Sequence, residues 1–144
     1  MLQTVKRGSN AKWRVIGDRR LYFRSKWEYN YCLYLQWCKE QGHINDWEHE
    51  PFTFWFLEIK RGVRSYLPDF KIWPTTGETY WVEVKGWMDP KSKTKLKRMA
   101  KYYPHEKVEL VSADWFAKNN FLLRNLIKEW EWNWTNQNLL SKDW

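Results

Sequence analysis

The sequence predicts a single α/β domain. Its core runs helix, three antiparallel strands, helix and strand, and a C-terminal helix follows. Three observations predict this. Trp27, Tyr31, Tyr34, Leu35 and Cys38 recur at helical spacing ahead of the strand signals. Trp81-Val82-Glu83-Val84-Lys85 alternates apolar and charged residues with a period of two, as a strand with one face in a core does. Two later segments return to helical spacing, the first opening on Pro90. The chain has 144 residues, 43% of them hydrophobic, which suits one domain with one core and argues against wholesale disorder.

Residues 1–23 read as a basic arm, with a short strand near Trp13-Arg14-Val15-Ile16, and residues 24–144 as the domain. The first helix covers residues 25–41 and stops at Gly42. Residues 43–51 read as an acidic loop. Residues 52–58 are aromatic and β-prone, so they are the first expected strand. Lys60-Arg61-Gly62-Val63 turns the chain into a second strand over residues 64–73, and Pro74-Thr75-Thr76-Gly77 turns it into a third over residues 79–85. Residues 90–103 form the next helix, with Leu96, Ala100 and Tyr103 inward, and Pro104 ends it. Residues 107–111 make a short buried strand. The last helix, residues 120–132, puts Leu123, Ile127 and Trp130 on one side.

The net charge is +8, and the excess is clustered. Lys6, Arg7, Lys12, Arg14, Arg19, Arg20, Arg24 and Lys26 face a single acid, Asp18, within residues 1–26. Residues 91–101 carry Lys91, Lys93, Lys95, Lys97, Arg98 and Lys101 and no acid. Such blocks suit a polyanion partner; a solubilising surface is the plainer alternative. No apolar run approaches the ~20 residues that span a bilayer, so no membrane role is expected. Cys32 and Cys38 share the first helix and face different ways, which fits free thiols in a reducing cytoplasm. Thirteen tryptophans are more than one core needs, so some are expected at the surface. His43, His49 and His105 are scattered without ligand spacing, and His49 reads as a loop residue.

The candidate chemistry lies in Leu67-Pro68-Asp69-Phe70 and Glu83-Val84-Lys85-Gly86. Alternation puts Val82 and Val84 in the core and Glu83 and Lys85 on the opposite face. Antiparallel pairing of the second and third strands brings Asp69 close to Glu83. Two carboxylates, with the Val84 carbonyl as a third oxygen, suit a hard cation such as Mg²⁺. Such a cation polarises a phosphate, and Lys85 is placed to orient water or offset transition-state charge. Glu28 is open to two readings. Ser25-Lys26-Trp27-Glu28 is a capping box, and a glutamate there is also a candidate ligand.

These motifs, in this order, resemble the PD-(D/E)xK nuclease superfamily. Pro68-Asp69 matches its Pro-Asp, Glu83-Val84-Lys85 its Glu-x-Lys, and Glu28 the glutamate of its first helix. The resemblance covers residues 24 to about 112, and within the superfamily the chain looks like small phage-encoded endonucleases, including Holliday-junction resolvases, and like transposon-end nucleases. It implies a restriction-endonuclease-like fold and a Mg²⁺- or Mn²⁺-dependent endonuclease acting on duplex or branched DNA. Catalysis would fall to Glu28, Asp69, Glu83 and Lys85, and the metal to Asp69, Glu83, Val84 and Glu28. Arg19, Arg20, Arg24, Lys93, Lys97 and Lys101 are the expected DNA contacts. A phage enzyme of this kind would act in the host cytoplasm, and the sequence leaves monomer and homodimer both open. The rival readings are a non-catalytic DNA-binding protein with this fold and a basic protein-interaction module.

Overall fold

The computed structural model describes residues 12–133 of the chain. β1 (Lys12–Ile16) and β2 (Arg19–Phe23) form an antiparallel hairpin in which Ile16 pairs with Arg19. A connection this tight needs a positive φ, and Gly17 supplies it at +61°. Ile16 and Phe23 are buried in the main core, so residues 12–23 pack onto the domain instead of forming an arm. Residues 1–11 of the expected arm lie outside the described residues.

α1 (Lys26–Glu40) begins where the capping pattern predicts it. Ser25 Oγ accepts the Glu28 N–H at 3.2 Å. Trp27, Tyr31, Leu35 and Cys38 are buried, and Tyr34 packs against them half-buried. Cys32 and Cys38 are free, buried thiols.

The strands depart from expectation. The acidic stretch after α1 is β3 (Ile44–His49), not a loop. It has few apolar residues and a bulge between Ile44 and Asp46, so no clean alternation betrays it. Of residues 52–58 only β4 (Phe54–Trp55) is a strand, and it pairs with β5 (Ser65–Tyr66) in a separate two-stranded ribbon. The predicted second strand is broken after β5 and resumes as β6 (Phe70–Pro74). Pro68 sits in the break, where it has no N–H to offer a ladder. β7 (Tyr80–Val84), α2 (Pro90–Tyr102), β8 (Val108–Val111) and α3 (Ala113–Leu126) complete the described chain. α3 thus starts earlier than predicted and stops short of Trp132. Leu123, Ile127 and Trp130 are all buried, but only Leu123 lies within the helix.

The result is a mixed α/β domain. Its main sheet has the order β3-β6-β7-β8, antiparallel except for the parallel pair β7 and β8, which α2 connects. One core cluster joins Trp47, Phe70, Ile72, Val82, Val84 and Val111 of the sheet to α1 and to Phe116 and Leu123 of α3. A second cluster joins Trp81 to Phe54, Phe56, Tyr66 and Met99. The sheet is therefore covered on one face by α1 and α3 and on the other by α2 and the ribbon. The buried side of α2 carries Ser92 and Met99, with Leu96, Tyr102 and Tyr103 partly covered; Ala100, expected inside, is exposed. Tryptophan serves both purposes: Trp27, Trp47 and Trp81 are buried, while Trp13, Trp55 and Trp87 are exposed. Among the described residues no helix is long and apolar enough to cross a membrane.

Candidate functional site

Strand register builds the centre of the site. Phe70 pairs with Val82 across β6 and β7, so the residue before Phe70 meets the residue after Val82. Those residues are Asp69 and Glu83. Val82 and Val84 are buried in the main core, and Glu83 takes the opposite face. Asp69 is 8% exposed, and its Oδ2 accepts the Val84 N–H at 2.7 Å. Val84 thus holds the Asp69 carboxylate through its amide. Glu83 Oε2 accepts a 2.7 Å hydrogen bond from the Tyr66 hydroxyl on β5.

Electrostatics mark the same place. Burial pushes the Asp69 carboxyl well above the usual range, and the charges of Glu28, Glu83 and Glu50 push it further; the Val84 N–H opposes them. Burial also raises Glu83, as does Glu28, while the Tyr66 hydroxyl and the Lys85 and Lys95 charges pull it down. Lys85 is about one-third exposed, with Nζ 3.9 Å from Asp89 Oδ2 at the start of α2. It follows the end of β7, and its charge reaches Glu83 two residues earlier.

Glu28 completes the cluster from α1. Only half of the capping box forms: Ser25 accepts the Glu28 N–H, but the Glu28 carboxylate turns inward, Oε2 lying 3.4 Å from His49 Nε2. His49 is the last residue of β3, and its side chain is 5% exposed. Glu50 follows at φ +47°, its N–H donating to the Asp69 carbonyl at 2.8 Å. His49, Glu50, Tyr66 and Lys95 are site residues that sequence reasoning passed over. Only tertiary placement brings them to Asp69 and Glu83.

The expected DNA contacts divide. Arg19 is engaged inside the fold: it pairs with Asp46 at 2.8 Å, donates to the Trp47 carbonyl, and lies 4.4 Å from the Trp47 ring centroid. These contacts tie the hairpin to β3. Arg20 is exposed and stacks over Trp13, 4.5 Å from its centroid. Arg24 is largely exposed and reaches to 3.7 Å from Glu50 Oε1, at the edge of the acidic cluster. Lys93, Lys97 and Lys101 all lie on the solvent side of α2. A separate cleft of about 420 Å³, lined by Phe52, Phe54, Lys71, Trp73 and Trp81 among others, contains none of the clustered carboxylates. No family model and no curated protein matches the chain.

Proposed function

We propose that this chain is a metal-dependent DNA endonuclease with the PD-(D/E)xK core, cutting duplex or branched DNA internally, as phage junction-resolving enzymes do. The observation that carries the reading is the meeting of Asp69 and Glu83 across β6 and β7, with Lys85 on the face of Glu83 and Glu28 entering from α1. The element order supports it: a helix, the antiparallel strands β3, β6 and β7, a crossover helix and a parallel strand.

The donor set fits a hard divalent cation. Asp69 and Glu83 offer carboxylate oxygens; Asp69 is buried and Glu83 half-buried, each beside another negative charge, a cost that a cation offsets. Mg²⁺ or Mn²⁺ bound there supplies Lewis acidity to a phosphate oxygen and lowers the pKa of coordinated water. The chain's own groups do the rest. The Val84 N–H and the Tyr66 hydroxyl fix the two carboxylates in place. The Lys85 ammonium offsets charge that builds on the phosphate as water attacks phosphorus and the bond to the leaving oxygen breaks. The outward lysines of α2, with Arg20 and Arg24, offer contacts to the DNA backbone.

The test is incubation with supercoiled plasmid and with a synthetic four-way junction, each with Mg²⁺ and with EDTA. Nicking or resolution should require the metal. Asp69→Ala, Glu83→Ala and Lys85→Ala should each abolish it while DNA binding survives, and Glu28→Gln should abolish it at an unchanged melting temperature. Full activity in folded Asp69→Ala protein overturns the reading. Metal-independent DNA binding without cleavage favours a binding module, and no DNA binding favours a protein-interaction role.

A further inference from the structure

We infer that Glu28, His49 and Glu50 form a second cation subsite beside Asp69 and Glu83, and that its imidazole selects a transition-metal ion over Mg²⁺. Its service to cleavage rests on the nuclease reading; its affinity for a cation does not.

The geometry is that of a ligand set. One ligand atom from each residue lies within 4.8 Å of the other two. His49 Nε2 is 3.4 Å from Glu28 Oε2 and 3.5 Å from Glu50 Oε1. Both distances exceed the roughly 2.7–3.2 Å of a normal N–H···O hydrogen bond. They match ligand spacing instead: two atoms each about 2.1 Å from one ion, at a tetrahedral angle, lie about 3.4 Å apart.

Backbone and packing hold these atoms together. Successive strand residues point to opposite faces, so His49 and Glu50 should diverge. Glu50 adopts a left-handed φ of +47°, its amide held by the Asp69 carbonyl, and this brings its carboxylate back beside His49. The imidazole packs between Phe23 and Phe70, with ring centroids at 4.8 and 5.2 Å, which fixes its direction.

Charge supplies an independent argument. The Glu28 side chain is 13% exposed and has no lysine or arginine within 4.0 Å among the described residues. Among the described residues the one lysine or arginine within 4.0 Å of the Glu50 carboxylate is Arg24, which is 67% exposed, at 3.7 Å. A carboxylate so buried needs a counter-charge, and a cation between Glu28 and Glu50 provides it. Nitrogen in the ligand set sets the preference. Mg²⁺ favours oxygen ligands and retained water, whereas imidazole with carboxylate suits Mn²⁺, Co²⁺ or Zn²⁺.

The test uses the full chain carrying Asp69→Asn and Glu83→Gln, which silences the neighbouring pair, stripped of metal and free of DNA. Titration with Co²⁺, followed by calorimetry and visible absorption, should show one equivalent bound at least roughly tenfold tighter than Mg²⁺. Adding His49→Gln or Glu50→Gln should weaken Co²⁺ by roughly tenfold or more, the scale on which even outer-shell partners act. Glu50→Gln keeps the test open where His49→Gln disturbs packing. Co²⁺ binding that is absent, no tighter than Mg²⁺, or indifferent to both substitutions overturns the inference and leaves His49 as a polar neighbour of the two glutamates. Cleavage by the parent chain without this binding refutes the subsite alone. Binding without cleavage refutes the nuclease reading alone.

Discussion

The Tyr66 hydroxyl donates to Glu83 Oε2 at 2.7 Å, joining the two-stranded ribbon to the acidic site. Tyr66 is 2% exposed, so this bond is shielded from water. It pulls the Glu83 carboxyl down against the burial that raises it. Tyr66→Phe removes the donor and keeps the ring. Glu83 should then hold its proton to higher pH. Activity at neutral pH should fall roughly tenfold or more, as for outer-shell partners of metal ligands. The acid limb of the pH–rate profile should move to higher pH. An unmoved profile means that Tyr66 only packs.

Asp69 carries a stability cost of its own. Its folded-state carboxyl is raised by burial and by the Glu28 and Glu83 charges. The folded state therefore keeps a proton that the unfolded chain releases near the ordinary value of about 3.9. Stability contributed below that value is lost as pH rises through the folded-state pKa. Asp69→Asn removes the penalty and leaves a side-chain oxygen for the Val84 N–H. In EDTA at about pH 8 the variant should melt higher than the parent, each ~1 kcal/mol moving Tm by roughly 2–8 °C for domains near this size. The gap should close toward about pH 4, where both forms are neutral. Adding Mg²⁺ should raise the parent's Tm more than the variant's.

Gly86 sets how closely β7 approaches α1. A Cβ there would lie 2.8 Å from Trp27 Cζ2 and 2.9 Å from Cε2. Trp27 is 4% exposed and packed edge-on against Phe116 and Trp132 at 4.8 and 5.5 Å, so the indole has little room to yield. Gly86→Ala should cost about 1–3 kcal/mol in urea unfolding, the usual penalty for overpacking. Trp27 adjoins Glu28, and Gly86 adjoins Lys85. Prising them apart should reduce cleavage under conditions where the variant remains folded. Unchanged stability would show that Trp27 can shift.

What was legible in the sequence is what local pattern determines. Ser25 and the apolar spacing mark α1; the alternation of Val82 and Val84 with Glu83 marks β7; Pro90 marks α2. The Asp69–Glu83 pair was legible because one hairpin register decides it. β3 was not, because its pairing with β6, not its apolar content, makes it a strand. The aromatic run 52–58 misled because Phe54 and Phe56 are buried in the second cluster rather than in the main sheet. His49 looked like a loop residue because its neighbours across space, Phe23 and Phe70, are far away in sequence. In sequence Lys95 is only one of the six cations of residues 91–101, yet its charge acts on Glu83.

The lysines of α2 thus divide between Lys95, whose charge acts on Glu83, and an exposed stripe. Lys93, Lys97 and Lys101 recur every four residues and are all exposed. The opposite side carries Ser92 and Met99 in the core. α2 follows Lys85 after a short connection, with Asp89 capping it and accepting the Ser92 N–H at 2.7 Å. On the proposed reading, the DNA backbone bound at Asp69 and Glu83 also contacts the lysine stripe. Each phosphate contact removed should flatten the slope of log affinity against log salt by roughly 0.9. Changing all three lysines to glutamine should therefore lower the slope by about two to three and weaken binding to every sequence alike. Lys95 remains in that variant, so its effect on Glu83 is untouched, and cleavage at saturating DNA should persist. An unchanged slope would place the DNA elsewhere, along Arg20 and Arg24 of the hairpin side.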